Sequence, residues 1–149
     1  MTEDVITVDE HKHVNDLIKL FIDNGISSAP VVAENGDLVG IVTKTDILGH
    51  FLDLDLEISV KIALQDILEH VLDHSGAEVT TDTELTVGKI MTNEPLTADI
   101  KTPIKELSKR MIKHNIHRMI ITENDCVCGL ISTLDILYHV AGIEKHERD

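Results

Sequence analysis

The chain has 149 residues, enough for one good core or two small ones, and although 42% of them are apolar only 2% are aromatic, so the core must be aliphatic. Twenty-seven acidic residues stand against 13 lysines and arginines, a net charge of −14. That balance argues against nucleic acid and anionic membranes as partners, and Phe21, Phe51 and Tyr138 are too few and too scattered to stack bases.

The opening Met1-Thr2-Glu3-Asp4 has neither a basic region nor a long apolar run, so no secretion signal is expected and the cytoplasm is the expected location. No apolar run approaches the ~20 residues a spanning helix needs. Val14, Leu17, Ile18, Phe21 and Ile22 follow helical spacing, with Gly25 placed to end the helix. Ala29 to Val32 reads as a short buried strand, Glu34-Asn35-Gly36-Asp37 as a tight hairpin turn, and Leu38 to Val42 as the returning strand. A helix opens near Asp46, behind a hydroxyl residue suited to cap it.

Residues 52–87 read differently. Alternation from Leu52 to Ile62 signals a strand, whereas Leu64, Ile67, Leu68, Val71 and Leu72 have helical spacing; the prediction is a helix over Val60 to His74, then a Thr- and acid-rich loop to Thr86. The first pattern then returns. Ile104, Leu107, Met111 and Ile112 form a second amphipathic stripe, between Pro103 at its start and Asn115 at its end. Met119 to Ile121 is a strand, Asn124-Asp125 a turn, and another helix opens near Asp135.

These parallels are an internal repeat. Met1 to Asp9 aligns with Met91 to Asp99 at an offset of 90, and Gly40 to Leu48 aligns with Gly129 to Leu137 at an offset of 89, one residue being lost in the turn. The units are 1–51 and 88–142, separated by 52–87 and followed by a tail over 143–149. At about 50 residues neither should hold a stable core alone, so the two are expected to pack together into an α+β fold, each contributing a small sheet and two helices.

The repeated string is Gly-apolar-apolar-Ser/Thr-x-x-Asp, Gly40 to Asp46 and Gly129 to Asp135. A strand ending in Thr43 or Ser132 and turning into a helix presents backbone donors and a hydroxyl where negative charge is favoured. A carboxylate three residues later is able to accept both hydrogen bonds of a ribose diol. A nucleoside phosphate fits both features; simple helix capping by the same residues is the plainer alternative.

Two such motifs in register, each with a Met-Thr lead-in, resemble the tandem cystathionine beta-synthase (CBS) domain family over nearly the whole chain except the middle segment. The resemblance implies a non-catalytic regulatory module that binds an adenine nucleotide, AMP, ADP or ATP, in the cleft between repeats and senses energy or metabolites. Binding would shift the population toward repeats pinned together and so change the surface offered to a regulated partner. It also implies shared pockets: Thr43 and Asp46 with Leu96, Ile116, Arg118 and Met119, and Ser132 and Asp135 with Ile6, Ile26, Ser27 and Ser28, with His117 close by. Asn115-Ile116-His117-Arg118 resembles the phosphate-contacting His-Arg of the gamma regulatory subunit of AMP-activated protein kinase, so the Asp46 pocket is expected to be the better phosphate site. A homodimer is implied by resemblance alone. A structural dimer with decayed pockets, a metal-responsive domain, and a sensor of S-adenosylmethionine or a dinucleotide are the alternatives.

His11 with His13, and His70 with His74 near Asp66 and Asp73, have spacings compatible with metal ligands, but each makes at most half a site, and no metal is expected. Cys126 and Cys128 are read as reduced thiols. There is no activated nucleophile, no phosphate loop of the Gly-rich Lys-Ser/Thr type and no paired-carboxylate motif beyond the repeat, so no catalysis is expected.

Overall fold

The computed structural model describes residues 1–52 and 85–145. The helix expected over 60–74, the His70 and His74 pair and the acidic loop lie outside these residues. The described residues form two compact units, one of 6–52 with 85–94 and one of 1–5 with 95–145, each an α+β arrangement of a small sheet with helices.

In the first unit, β1 (Val8–Asp9) lies parallel to β2 (Ser28–Val32), which pairs antiparallel with β3 (Leu38–Thr43), and β4 (Thr92–Asn93) closes the other edge against β3. Helix α1 (Val14–Asn24) sets Val14, Leu17, Ile18 and Phe21 on the sheet, where they meet Val8, Ala29, Val31 and Val42 in one aliphatic core. Gly25 ends it in the left-handed conformation that spares a glycine any steric penalty. Helix α2 (Lys44–Leu52) follows β3 without a loop and buries Ile47 and Leu48. The short α3 (Val87–Ile90) adds Val87 to the same core, and Leu85 just before it joins them.

The second unit repeats the plan. Strand β5 (Thr97–Asp99) runs parallel to β6 (Arg118–Glu123), which turns through Asn124 and Asp125, both at positive φ, into antiparallel β7 (Cys126–Ser132). Helix α4 (Ile104–His114) contributes Leu107 and Met111 to a core with Ala98, Met119, Ile121 and Ile131. Asn115 takes the left-handed cap position that Gly25 holds in α1. Helix α5 (Thr133–Ala141) again follows the strand directly.

Two features depart from the sequence pattern. Ile22 and Ile112 carry the helical period, but Ile112 is 81% exposed and Ile22 is also exposed, because a short sheet covers only the two central rows of each helix. The Met-Thr lead-ins also cross over. Thr92 pairs with Ile41 in the unit of the first repeat, while Thr2 exchanges two backbone hydrogen bonds of 3.0 Å with Leu130 in the unit of the second. Gly40 and Gly129 make this possible: a Cβ at Gly40 would meet Met91 Sδ at 2.5 Å and the Thr92 carbonyl oxygen at 2.8 Å, and one at Gly129 would strike the Met1 side chain.

Candidate nucleotide site

Each repeated motif sits where its sheet hands the chain to a helix. In the first unit the Thr43 backbone N–H donates to Asp46 Oδ2 at 2.8 Å and the Thr43 hydroxyl donates to the same oxygen at 3.1 Å, while the Asp46 N–H returns a bond to Thr43 Oγ1 at 3.3 Å. In the second unit Ser132 N–H and Oγ donate to Asp135 Oδ2 at 2.7 and 2.9 Å, and Asp135 N–H donates back to Ser132 Oγ at 3.2 Å. Both are reciprocal capping boxes. They fix one carboxylate oxygen and leave Oδ1 as the oxygen aimed elsewhere.

The fates of the two Oδ1 atoms differ. Every hydrogen bond that Asp46 accepts from the described residues falls on Oδ2, whereas Asp135 Oδ1 accepts a 2.7 Å bond from Lys145 Nζ and has the Met1 ammonium 3.9 Å away. Burial pushes the Asp46 carboxyl above the ordinary aspartate value, and the two bonds from Thr43 only partly oppose it. Burial acts on Asp135 in the same sense, but Lys145, the Ser132 donors and the nearby ammonium outweigh it and hold that carboxyl below the ordinary value.

The two residues at the start of each central strand complete the arrangement. Lys44 N–H donates to the Ser27 carbonyl at 2.9 Å and Ser28 lies in register with Thr43; Thr133 N–H donates to the His117 carbonyl at 3.0 Å and Arg118 lies in register with Ser132. Arg118 is half-buried, which lowers its pKa, and the Asp135 charge opposes that shift. Arg118 lies in the same unit as Asp135 and feels its charge. Ile6, Ile26, Ser27, Ser28, Thr43 and Asp46 fall in one unit, and Leu96, Ile116, His117, Arg118, Met119, Ser132 and Asp135 in the other. Met119 and Ser28 are buried, Leu96 and His117 are exposed, and the rest are half-buried. Lys145 is the addition that sequence reading missed: a lysine ten positions after the motif carries no signal of its own.

Among the described residues no three His, Cys, Asp or Glu side chains gather around a point suited to a metal, and His11 faces Glu10 at 3.7 Å. Nor is any described helix long and apolar enough to cross a membrane.

The strand-to-helix carboxylate repeated in two units is matched by a family profile for the CBS domain over residues 1–53 and 87–142. The chain belongs to the CBS domain family. It is 32% identical over 146 residues to the uncharacterized protein MJ1426 of Methanocaldococcus jannaschii, covering 89% of this chain and 83% of that one, while it spans only 24% and 22% of two longer curated relatives. Its fold is that of the CBS domain pair of protein MJ0100, solved with 5′-methylthioadenosine and S-adenosyl-L-methionine (TM-score 0.66, 23% identity, 95% of this chain and 92% of that chain). It is equally that of CBSX2, solved with AMP (TM-score 0.65, 19% identity, the same coverages).

Proposed function

We propose that this CBS pair is a non-catalytic regulatory module that binds an adenine nucleotide, AMP, ADP or ATP. The observation that carries the reading is the twice-built carboxylate: its position fixed through Oδ2, its Oδ1 directed away from the capping bonds, beside a helix N-terminus that favours phosphate. Asp46 and Asp135 would each accept from a ribose diol, and Thr43 and Ser132 would offer donors to phosphate. Arg118 and His117 add phosphate contacts on the Asp135 side, and Ser27 and Ser28 weaker ones on the Asp46 side. Ile6, Ile26, Leu96, Ile116 and Met119 supply the apolar surroundings of the base. CBS domain pairs are generally regulatory, and CBSX2 carries AMP. The two cysteines are free, which suits a reducing compartment such as the cytoplasm.

A second reading, an S-adenosylmethionine-type ligand, is favoured by the MJ0100 complex. It uses the same ribose acceptors and dispenses with Arg118. Calorimetric titration of AMP, ATP and S-adenosylmethionine into wild-type protein, Asp46→Ala and Asp135→Ala, after removal of co-purified ligand, separates the two. Micromolar binding of AMP or ATP, reduced by both substitutions, supports the nucleotide module. Preference for S-adenosylmethionine supports the second reading, and silence from all three ligands moves the chain to a structural role.

We also propose a homodimer built on helices α4 and α5. Besides Ile112, this unit exposes Leu137 at 61% and Val140 at 74%, apolar side chains that a partner copy would cover. Sedimentation velocity of Val140→Glu is expected to show monomer where the wild type shows dimer.

A further inference from the structure

The two carboxylates differ in one respect that the repeat does not explain. Asp135 is already engaged by a group from its own chain. Helix α5 ends at Gly142, whose left-handed conformation reverses the chain: Gly142 N–H donates to the His139 carbonyl at 3.2 Å and Ile143 N–H to the Tyr138 carbonyl at 3.0 Å. Nine helical residues span about 13 Å, so without this reversal a side chain four residues past the helix would point away from its first turn. With it, Lys145 lies back toward the helix start and its ammonium reaches Asp135 Oδ1 at 2.7 Å.

We propose that Lys145 is a tethered occupant of the Asp135 site, holding closed the carboxylate oxygen that an incoming diol would use. This rests on the nucleotide reading above for the identity of the competitor, but the occupancy itself does not. The geometry favours displacement over permanent structure: the Asp135 side chain is 6% exposed, whereas that of Lys145 is 47% exposed and gives its ammonium back to water on release. The chain after Gly142 would then leave the helix when the site fills, so ligand binding at Asp135 and release of residues 143–145 are one equilibrium. The Asp46 site has no such occupant among the described residues.

Two measurements test this on the full chain. In the Asp46→Ala background, which leaves Asp135 as the ribose acceptor, Lys145→Gln is expected to tighten AMP binding about three- to ten-fold by removing the internal competitor. Unchanged or weaker binding would overturn the proposal and make Lys145 a bystander or a ligand contact, leaving the nucleotide reading intact. Independently of any ligand, the Asp135 carboxyl followed by carbon-13 NMR is expected to titrate at higher pH in Lys145→Gln than in wild type. If AMP binds no variant yet that rise is seen, the nucleotide reading fails and the occupied carboxylate stands. If no rise is seen, the occupancy is refuted whatever AMP does.

Discussion

The two copies of the motif are built alike and end differently. Thr43 with Asp46 and Ser132 with Asp135 make the same three hydrogen bonds within a few tenths of an ångström, because those bonds span only three residues and follow from the local string. What separates the copies comes from farther along the chain: Arg118 opposite Ser132 where Ser28 stands opposite Thr43, and Lys145 on one carboxylate with no described counterpart on the other. The same divergence holds for the helices that follow, since α2 buries Ile47 and Leu48 while α5 buries none of its residues. Short-range sequence sets the geometry of each site, and long-range placement sets its charge and its accessibility.

The strongest way to break the likeness is at the glycines under the lead-ins. Alanine at Gly40 would press on a backbone carbonyl, Thr92 O at 2.8 Å, which cannot yield without shifting β4; at Gly129 the nearest atoms all belong to the Met1 side chain, which can swing aside. Gly40→Ala is therefore expected to destabilise by ~1–3 kcal/mol and Gly129→Ala by clearly less, read from urea midpoints. Equal losses would mean that the two lead-ins are held equally rigidly. Next come the caps. Thr43→Ala and Ser132→Ala each remove two hydroxyl bonds and should each cost ~1 kcal/mol in the same assay. A difference of more than about twofold between them would show that the boxes are not equivalent.

Much of this was legible in the sequence, and the reasons are physical. Helices α1 and α4 announce themselves through Leu17, Phe21, Leu107 and Met111, because a helix on a sheet must bury one stripe. Gly25 and Asn115 mark the ends because a left-handed residue terminates a helix. The capping of Asp46 by Thr43 and of Asp135 by Ser132 was legible because those bonds are local and repeated. The exchange of lead-ins was not legible, since Met1-Thr2 and Met91-Thr92 are interchangeable strings and either suits either strand. The placement of Arg118 beside Asp135 and the return of Lys145 escaped for the same reason: a charge in sequence does not name its partner in space.

The finest test of the comparison is the sign of the pH response. Asp135 titrates below the ordinary value in the folded chain, so its contribution to stability is present above that value and is lost as pH falls through the folded one. Asp46 titrates above the ordinary value because of burial, so its contribution is present at low pH and is lost as pH rises through the folded value. Relative to wild type, Asp135→Asn should therefore lose less stability as the solution is acidified from about pH 7 to about pH 3, and Asp46→Asn should lose more. Urea unfolding of the three proteins across that range reads both slopes. High salt should flatten the Asp135 slope, because its half-exposed lysine partner is screened, and should leave the Asp46 slope, which comes from burial, nearly untouched. Slopes of the same sign would show that the carboxylates share one environment and that Lys145 does not distinguish them.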